Sequence, residues 1–115
     1  MANSRVQITL PYPPSVNSMY ATFKGRRILS RKGREYKKAV AEIPVTQTFG
    51  GEVVLTVNLY RPKRTGDLDN YLKAIQDALT GIWYDDDKQI VEIHAYRHDD
   101  KTNPRVEVII EPHST

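Results

Sequence analysis

Gly66-Asp67-Leu68-Asp69-Asn70-Tyr71-Leu72-Lys73 lies where a strand hands over to a helix. Upstream, Val53, Leu55, Val57 and Leu59 alternate with Val54, Thr56, Asn58 and Tyr60, the period-two pattern of a strand with one buried face. Downstream, Leu68, Leu72, Ile75 and Leu79 recur at spacings of four, three and four, which gives a helix over 70–80 one apolar face. Gly81 closes that helix. On a different face Asp69, Lys73 and Asp77 follow one another at i, i+4 steps.

The stretch is also where the acids gather. Six of the eight aspartates fall between positions 67 and 87, in a chain with 17 Lys and Arg against 14 Asp and Glu and a formal net charge of +3. Carboxylates brought together repel one another, so a fold that assembles them gains by binding a cation or handling protons there. The second acidic motif is Tyr84-Asp85-Asp86-Asp87-Lys88-Gln89. With the helix packed on a sheet that holds strands 53–60 and 89–97, Asp67 and Asp69 sit at its junction with the first strand. Asp86 or Asp87 then sits at the mouth of the second, and three carboxylates are expected to converge. Such a set suits magnesium, a hard cation that takes oxygen ligands and keeps waters or phosphate oxygens. In phosphodiester hydrolysis the ion activates water and stabilises developing charge, and Lys73 can neutralise charge on the phosphate. The plainer alternatives are a helix cap at Asp67 or Asp69, an ordinary Asp69–Lys73 ion pair, and a solvated turn at 85–87. An EF-hand loop does not fit, because Tyr71 and Leu72 stand where an oxygen ligand and a glycine belong. The chain has no cysteine, which excludes disulfides, thiolate zinc sites and a cysteine nucleophile. His94, His98 and His113 show no paired metal spacing and read as surface residues.

Positive charge is concentrated elsewhere. Residues 24 to 38 carry Lys24, Arg26, Arg27, Arg31, Lys32, Arg34, Lys37 and Lys38 against the single acid Glu35, and Lys63 and Arg64 lead into the acidic stretch. A basic collar around a metal site is what an enzyme acting on nucleic acid needs, so Lys24, Arg26, Arg27, Arg31, Lys63 and Arg64 are candidate DNA contacts. Asn17, in the turn-rich loop Pro14 to Tyr20, joins them as a polar loop residue. Around these features, residues 5 to 10 alternate as a strand stopped by Pro11, and Ser30 N-caps a helix to about Glu42 that Pro44 ends. Strands follow over 89–97 and 105–111. The expected order is β-α-β-α-β-β, an α+β domain spanning 1–115 with a mixed sheet and two main helices. No run approaches a membrane span and no signal peptide opens the chain, so a cytoplasmic protein is expected.

Taken together, Leu10-Pro11-Tyr12-Pro13-Pro14-Ser15-Val16-Asn17, Gly33 to Tyr36, Asp67-Leu68-Asp69-Asn70-Tyr71-Leu72-Lys73 with Asp77-Ala78-Leu79, and Gly81-Ile82-Trp83-Tyr84 to Asp86-Asp87-Lys88-Gln89-Ile90 resemble the RusA-type Holliday junction resolvases of bacteria and their phages. The resemblance implies a small α+β homodimer that depends on magnesium, with manganese as a substitute. It implies paired, symmetric nicking of four-way DNA junctions in recombination and repair, inside a bacterial or phage-infected cell. By position it implies Asp67, Asp69 and Asp87 as catalytic metal ligands, with Asp86 as the alternative third, and Lys73 as the catalytic lysine. Asp85 lengthens the usual acidic pair to three, and the spacing to Gln89 favours Asp87. A two-fold pair of sites matches the approximate two-fold symmetry of a junction. A broader flap or fork nuclease, and a branched-DNA-binding protein without hydrolysis, are the competing readings.

Overall fold

In the computed structural model, which describes residues 5–64 and 67–113, the alternating stretch becomes strand β4 (Val53–Arg61). Leu55, Val57 and Leu59 are almost wholly buried, while Thr56, Asn58 and Tyr60 lie half-buried on the opposite face. With β1 (Val6–Pro11), β5 (Ile90–Asp99) and β6 (Arg105–Pro112) it forms a four-stranded sheet in the order β1-β6-β4-β5. The sheet is mixed: β4 runs parallel to β5 and antiparallel to β6, and β1 runs antiparallel to β6.

The two expected helices are α2 (Arg31–Ala41) and α3 (Asp69–Leu79). Ser30 caps α2, its Oγ accepting from the Gly33 N–H at 3.0 Å. Ala74, Ile75, Ala78 and Leu79 of α3 and Tyr36 and Val40 of α2 join Leu55, Val57, Leu59, Val106, Val108 and Ile110 in one core, closed at its end by the buried Trp83 and Tyr84.

Between β1 and α2 the structure departs from the expected order. A one-turn helix, α1 (Val16–Met19), is followed by a hairpin of β2 (Tyr20–Phe23) and β3 (Arg26–Leu29), paired antiparallel outside the main sheet. Its two-residue turn is Lys24-Gly25, both with positive φ (52° and 74°), the mirror-image turn that matches strand twist. The hairpin is anchored at its root. Ser30 Oγ donates to the Met19 carbonyl at 3.0 Å, and α2 approaches that carbonyl so closely that a Cβ on Gly33 would overlap it.

The parallel pairing of β4 and β5 decides where the acidic motifs go. Val53 is aligned with Ile90 and Arg61 with Asp99, so the chain must return along α3 from the end of β4 to the start of β5. Asp67 and Asp69 therefore lie at one end of α3, and Asp85 to Asp87 at the other.

Candidate active site

At the first end, α3 starts without a side-chain cap. Leu68 occupies the cap position and makes no capping hydrogen bond, so the helix-cap role open to Asp67 or Asp69 is not taken by either. Both are exposed, and among the described residues neither carboxylate has an ion-pair or hydrogen-bond partner. Two uncommitted carboxylates side by side are a fit for magnesium, which is typically held by one or two carboxylates with waters and substrate phosphates making up the rest. Lys73 lies one turn further along the same helix face, its Nζ 3.6 Å from Asp77 Oδ2.

The second end is built around a tight acidic turn. Asp86 caps a 3₁₀ turn over Asp87–Gln89 and accepts from the Lys88 N–H at 2.9 Å. That hydrogen bond, followed by one with the Asp87 side chain, holds the Asp86 carboxyl below its ordinary range. Gln89 locks the turn in place. Its Oε1 accepts from the N–H groups of Asp85 (2.8 Å) and Asp86 (3.0 Å), and its Nε2 donates to the carbonyls of Phe49 (2.9 Å) and Gly51 (2.8 Å), just ahead of β4. Asp87 opens the turn without capping it. It shares an open cavity of about 470 Å³ with Tyr20, Leu29, Lys37, Asp77, Thr80, Asp85 and Asp86.

Asp77 belongs to this second end. Tyr20 Oη donates to its carboxylate across the cavity, and Lys73 reaches it from the adjacent turn of α3. Burial, followed by the negative charge of Asp87, pushes Asp77 above its ordinary 3.8. The buried Tyr84 is pushed up to about 12, by burial first and then by Asp87 and Asp77, against a lowering hydrogen bond from Thr80.

The expected convergence of three carboxylates does not occur within the chain. Asp69 and Asp77 are eight positions apart on one helix, about 12 Å at 1.5 Å per residue, and Asp87 lies beside Asp77. Among the described residues no group of three or more acidic or histidine side chains is gathered closely enough to hold a metal. Asp77 and Tyr20 join the site without being among the residues expected there. For Asp77 the signal was present, because Lys73 is as close in sequence to Asp77 as to Asp69; for Tyr20 there was none.

The candidate DNA contacts fall into three groups. Lys24, Arg26 and Arg27 lie on the hairpin, where Arg27 stacks its guanidinium 4.8 Å from the Tyr20 ring centroid. Asn17 lies beside them, sharing a hollow with Tyr20, Ala21, Thr22 and Arg27. Arg31 pairs with Glu35 at 3.2 Å on the exposed side of α2. Lys63 and Arg64 are exposed beyond β4, where Arg64 lies 3.7 Å from Asp99. Arg61, two residues before Lys63, is buried instead and bound to Asp99 through Nε at 2.9 Å and Nη2 at 2.8 Å.

Residues 11–111 match the family model described as endodeoxyribonuclease RusA. The chain is 36% identical over 110 residues to the crossover junction endodeoxyribonuclease RusA of Escherichia coli (strain K12), a match covering 90% of this chain and 91% of the relative. The same identity and coverage hold for the crossover junction endodeoxyribonuclease of Enterobacteria phage 82, and the Shigella sonnei (strain Ss046) protein is 34% identical over the same span. The chain belongs to the RusA family. Among its described residues no helix is long and apolar enough to cross a membrane.

Proposed function

We propose that this chain is a divalent-metal-dependent endodeoxyribonuclease that resolves four-way DNA junctions as a homodimer, in recombination and repair. The observation that carries the reading is the Asp67 and Asp69 pair, exposed at the open end of α3 and, among the described residues, without partners, in a family of endodeoxyribonucleases. The relatives' designation as crossover junction enzymes supports the choice of substrate.

Asp67 and Asp69 are the metal-holding pair. Magnesium bound there would polarise the scissile phosphate and acidify the attacking water, and manganese would serve in its place. Hydrolysis joins the water oxygen to phosphorus and breaks one ester bond, so negative charge builds on the phosphate and the departing oxygen. Lys73, exposed and one turn along from Asp69, supplies a cation to that charge, and Asp77 keeps its ammonium from swinging free.

Asp87 is the third ligand in preference to Asp86, whose carboxylate is committed to capping. Because α3 separates Asp87 from Asp67 and Asp69 in one chain, the two ends meet only between chains: in a two-fold dimer each metal pair is completed by the partner's Asp87. The same two-fold gives the pair of symmetric cuts that a junction requires.

Asp69→Asn tests the reading. The variant is expected to bind a synthetic four-way junction as wild type does and to leave it uncut with magnesium or manganese. Cleavage at the wild-type rate would overturn the assignment, and wild-type binding without cleavage in any divalent metal would make the protein a binding module.

A further inference from the structure

The β2–β3 hairpin exposes an apolar face that the core does not use. Its register pairs Tyr20 with Leu29, Ala21 with Ile28, Thr22 with Arg27 and Phe23 with Arg26. Side chains alternate along such a ribbon, so Tyr20, Thr22, Arg27 and Leu29 share the face that leans on the cavity. Ala21, Phe23, Arg26 and Ile28 share the other. On that other face Phe23 is 58% exposed and Ile28 42% exposed. Phe23 sits immediately before the Lys24-Gly25 turn, at the tip of the ribbon, with Lys24 Nζ 5.4 Å from its ring centroid. No acidic residue occurs in the chain before Glu35.

Phe23 and Ile28, exposed together on one face of the ribbon, make an apolar patch placed to meet a partner. Here its neighbours Lys24, Arg26 and Arg27 are cations with no carboxylate among them, which selects a polyanion over an ordinary protein surface. A polyanion that also offers flat apolar faces is nucleic acid, and it offers them where bases are unstacked, at branch points and single-stranded gaps rather than within continuous duplex. The spacing of roles is compact: one aromatic to stack and one cation on each side to hold the flanking phosphates.

We propose that Phe23 is a base-stacking residue. Resting on the junction reading above, the hairpin enters the opening at the centre of the four-way junction and lays the Phe23 ring on a base exposed there, with Lys24 and Arg26 on adjacent phosphates. Phe23 thereby helps to choose branched over linear DNA, whereas the phosphate contacts alone do not distinguish the two.

The test uses full-length wild type, Phe23→Ala and Phe23→Trp, in EDTA to prevent cutting, with a four-way junction carrying 2-aminopurine at the branch point and a linear duplex of the same sequence. Wild type is expected to bind the junction in preference to duplex and to change the branch-point fluorescence. Phe23→Ala is expected to bind the junction about ten-fold more weakly, as when one stacked base is given up, to keep its duplex affinity, and to abolish the fluorescence change; Phe23→Trp is expected to retain both. Junction affinity and fluorescence unchanged in Phe23→Ala would overturn this inference alone. So would equal weakening on junction and duplex, or a wild-type dimer that becomes monomeric in Phe23→Ala, which would assign Phe23 to an interface between copies. Wild type with no preference for the junction would remove the junction reading and this inference with it.

Discussion

Lys73 reaches forward along α3 to Asp77, with Nζ 3.6 Å from Oδ2, rather than back to Asp69 one turn earlier. Asp77 in turn receives the hydroxyl of Tyr20, so the lysine is moored to the floor of the cavity under the hairpin. Lys73→Ala is expected to lower the cleavage rate by about 10²- to 10³-fold, the range for removing one preorganised group that meets developing charge, while junction affinity changes little. Single-turnover cleavage and binding measured side by side check this, and a Lys73→Ala rate within a few-fold of wild type would remove Lys73 from the chemistry.

Asp77 also gives the protein a pH signature. Its pKa in the fold is raised, by burial first and then by Asp87. A raised carboxyl favours the fold while protonated, so this contribution is fully present below the ordinary 3.8 and is lost as pH rises through the folded value. Asp77→Asn stays neutral throughout and is expected to flatten the part of the stability–pH profile that declines above 3.8. Thermal unfolding of both proteins between pH 3 and pH 7 reads this directly; parallel profiles would show that Asp77 does not titrate as described.

The proposed sharing of each site between two chains makes a prediction about mixtures. Asp69→Asn and Asp87→Asn are each expected to be inactive as homodimers. Refolded together, they form heterodimers in which one site carries both substitutions and the other carries none. Such a mixture is expected to nick a junction on one strand, approaching half of the wild-type site activity per heterodimer. A mixture as inactive as its components would mean that each chain builds its own site.

For the hairpin cations, Arg26→Gln with Arg27→Gln is expected to weaken binding to every DNA and to flatten the dependence of log affinity on log salt, by about 0.9 for each phosphate that the protein no longer neutralises. Titrations at several salt concentrations check this, and an unchanged slope would place the DNA elsewhere. Arg27 also stacks on Tyr20, so circular dichroism of the variant guards against a collapse of local structure.

The main elements were legible in sequence wherever one face was buried. The alternation through Val53 to Tyr60 and the apolar spacing of Leu72, Ile75 and Leu79 report burial in the core, and β4 and α3 fall where those patterns place them. The β2–β3 hairpin was not legible for the same physical reason. Ala21, Phe23 and Ile28 are exposed, so no face of the ribbon carries the hydrophobic signal of a buried strand, and its arginines read as part of a charged run. The aspartate motifs were visible as motifs, whereas their separation was not. It follows from the direction of β5, which is set by hydrogen bonding to β4 across the intervening residues 62–89. The role of Gln89, which ties the acidic turn to Phe49 and Gly51, likewise depends on a backbone that only the fold brings near.

In the proposed dimer helix α3 (Asp69–Leu79) spaces two half-sites, and that spacing has a consequence for the cell. An enzyme that cuts chromosomes is hazardous whenever it is present. A chain that holds its metal pair at one end of a helix and its third ligand at the other would be harmless alone, since neither end completes the other. When copies are scarce, the number of working centres would fall with the square of their concentration. A few stray molecules would then leave the genome untouched, and cutting would begin only once there are enough copies to pair.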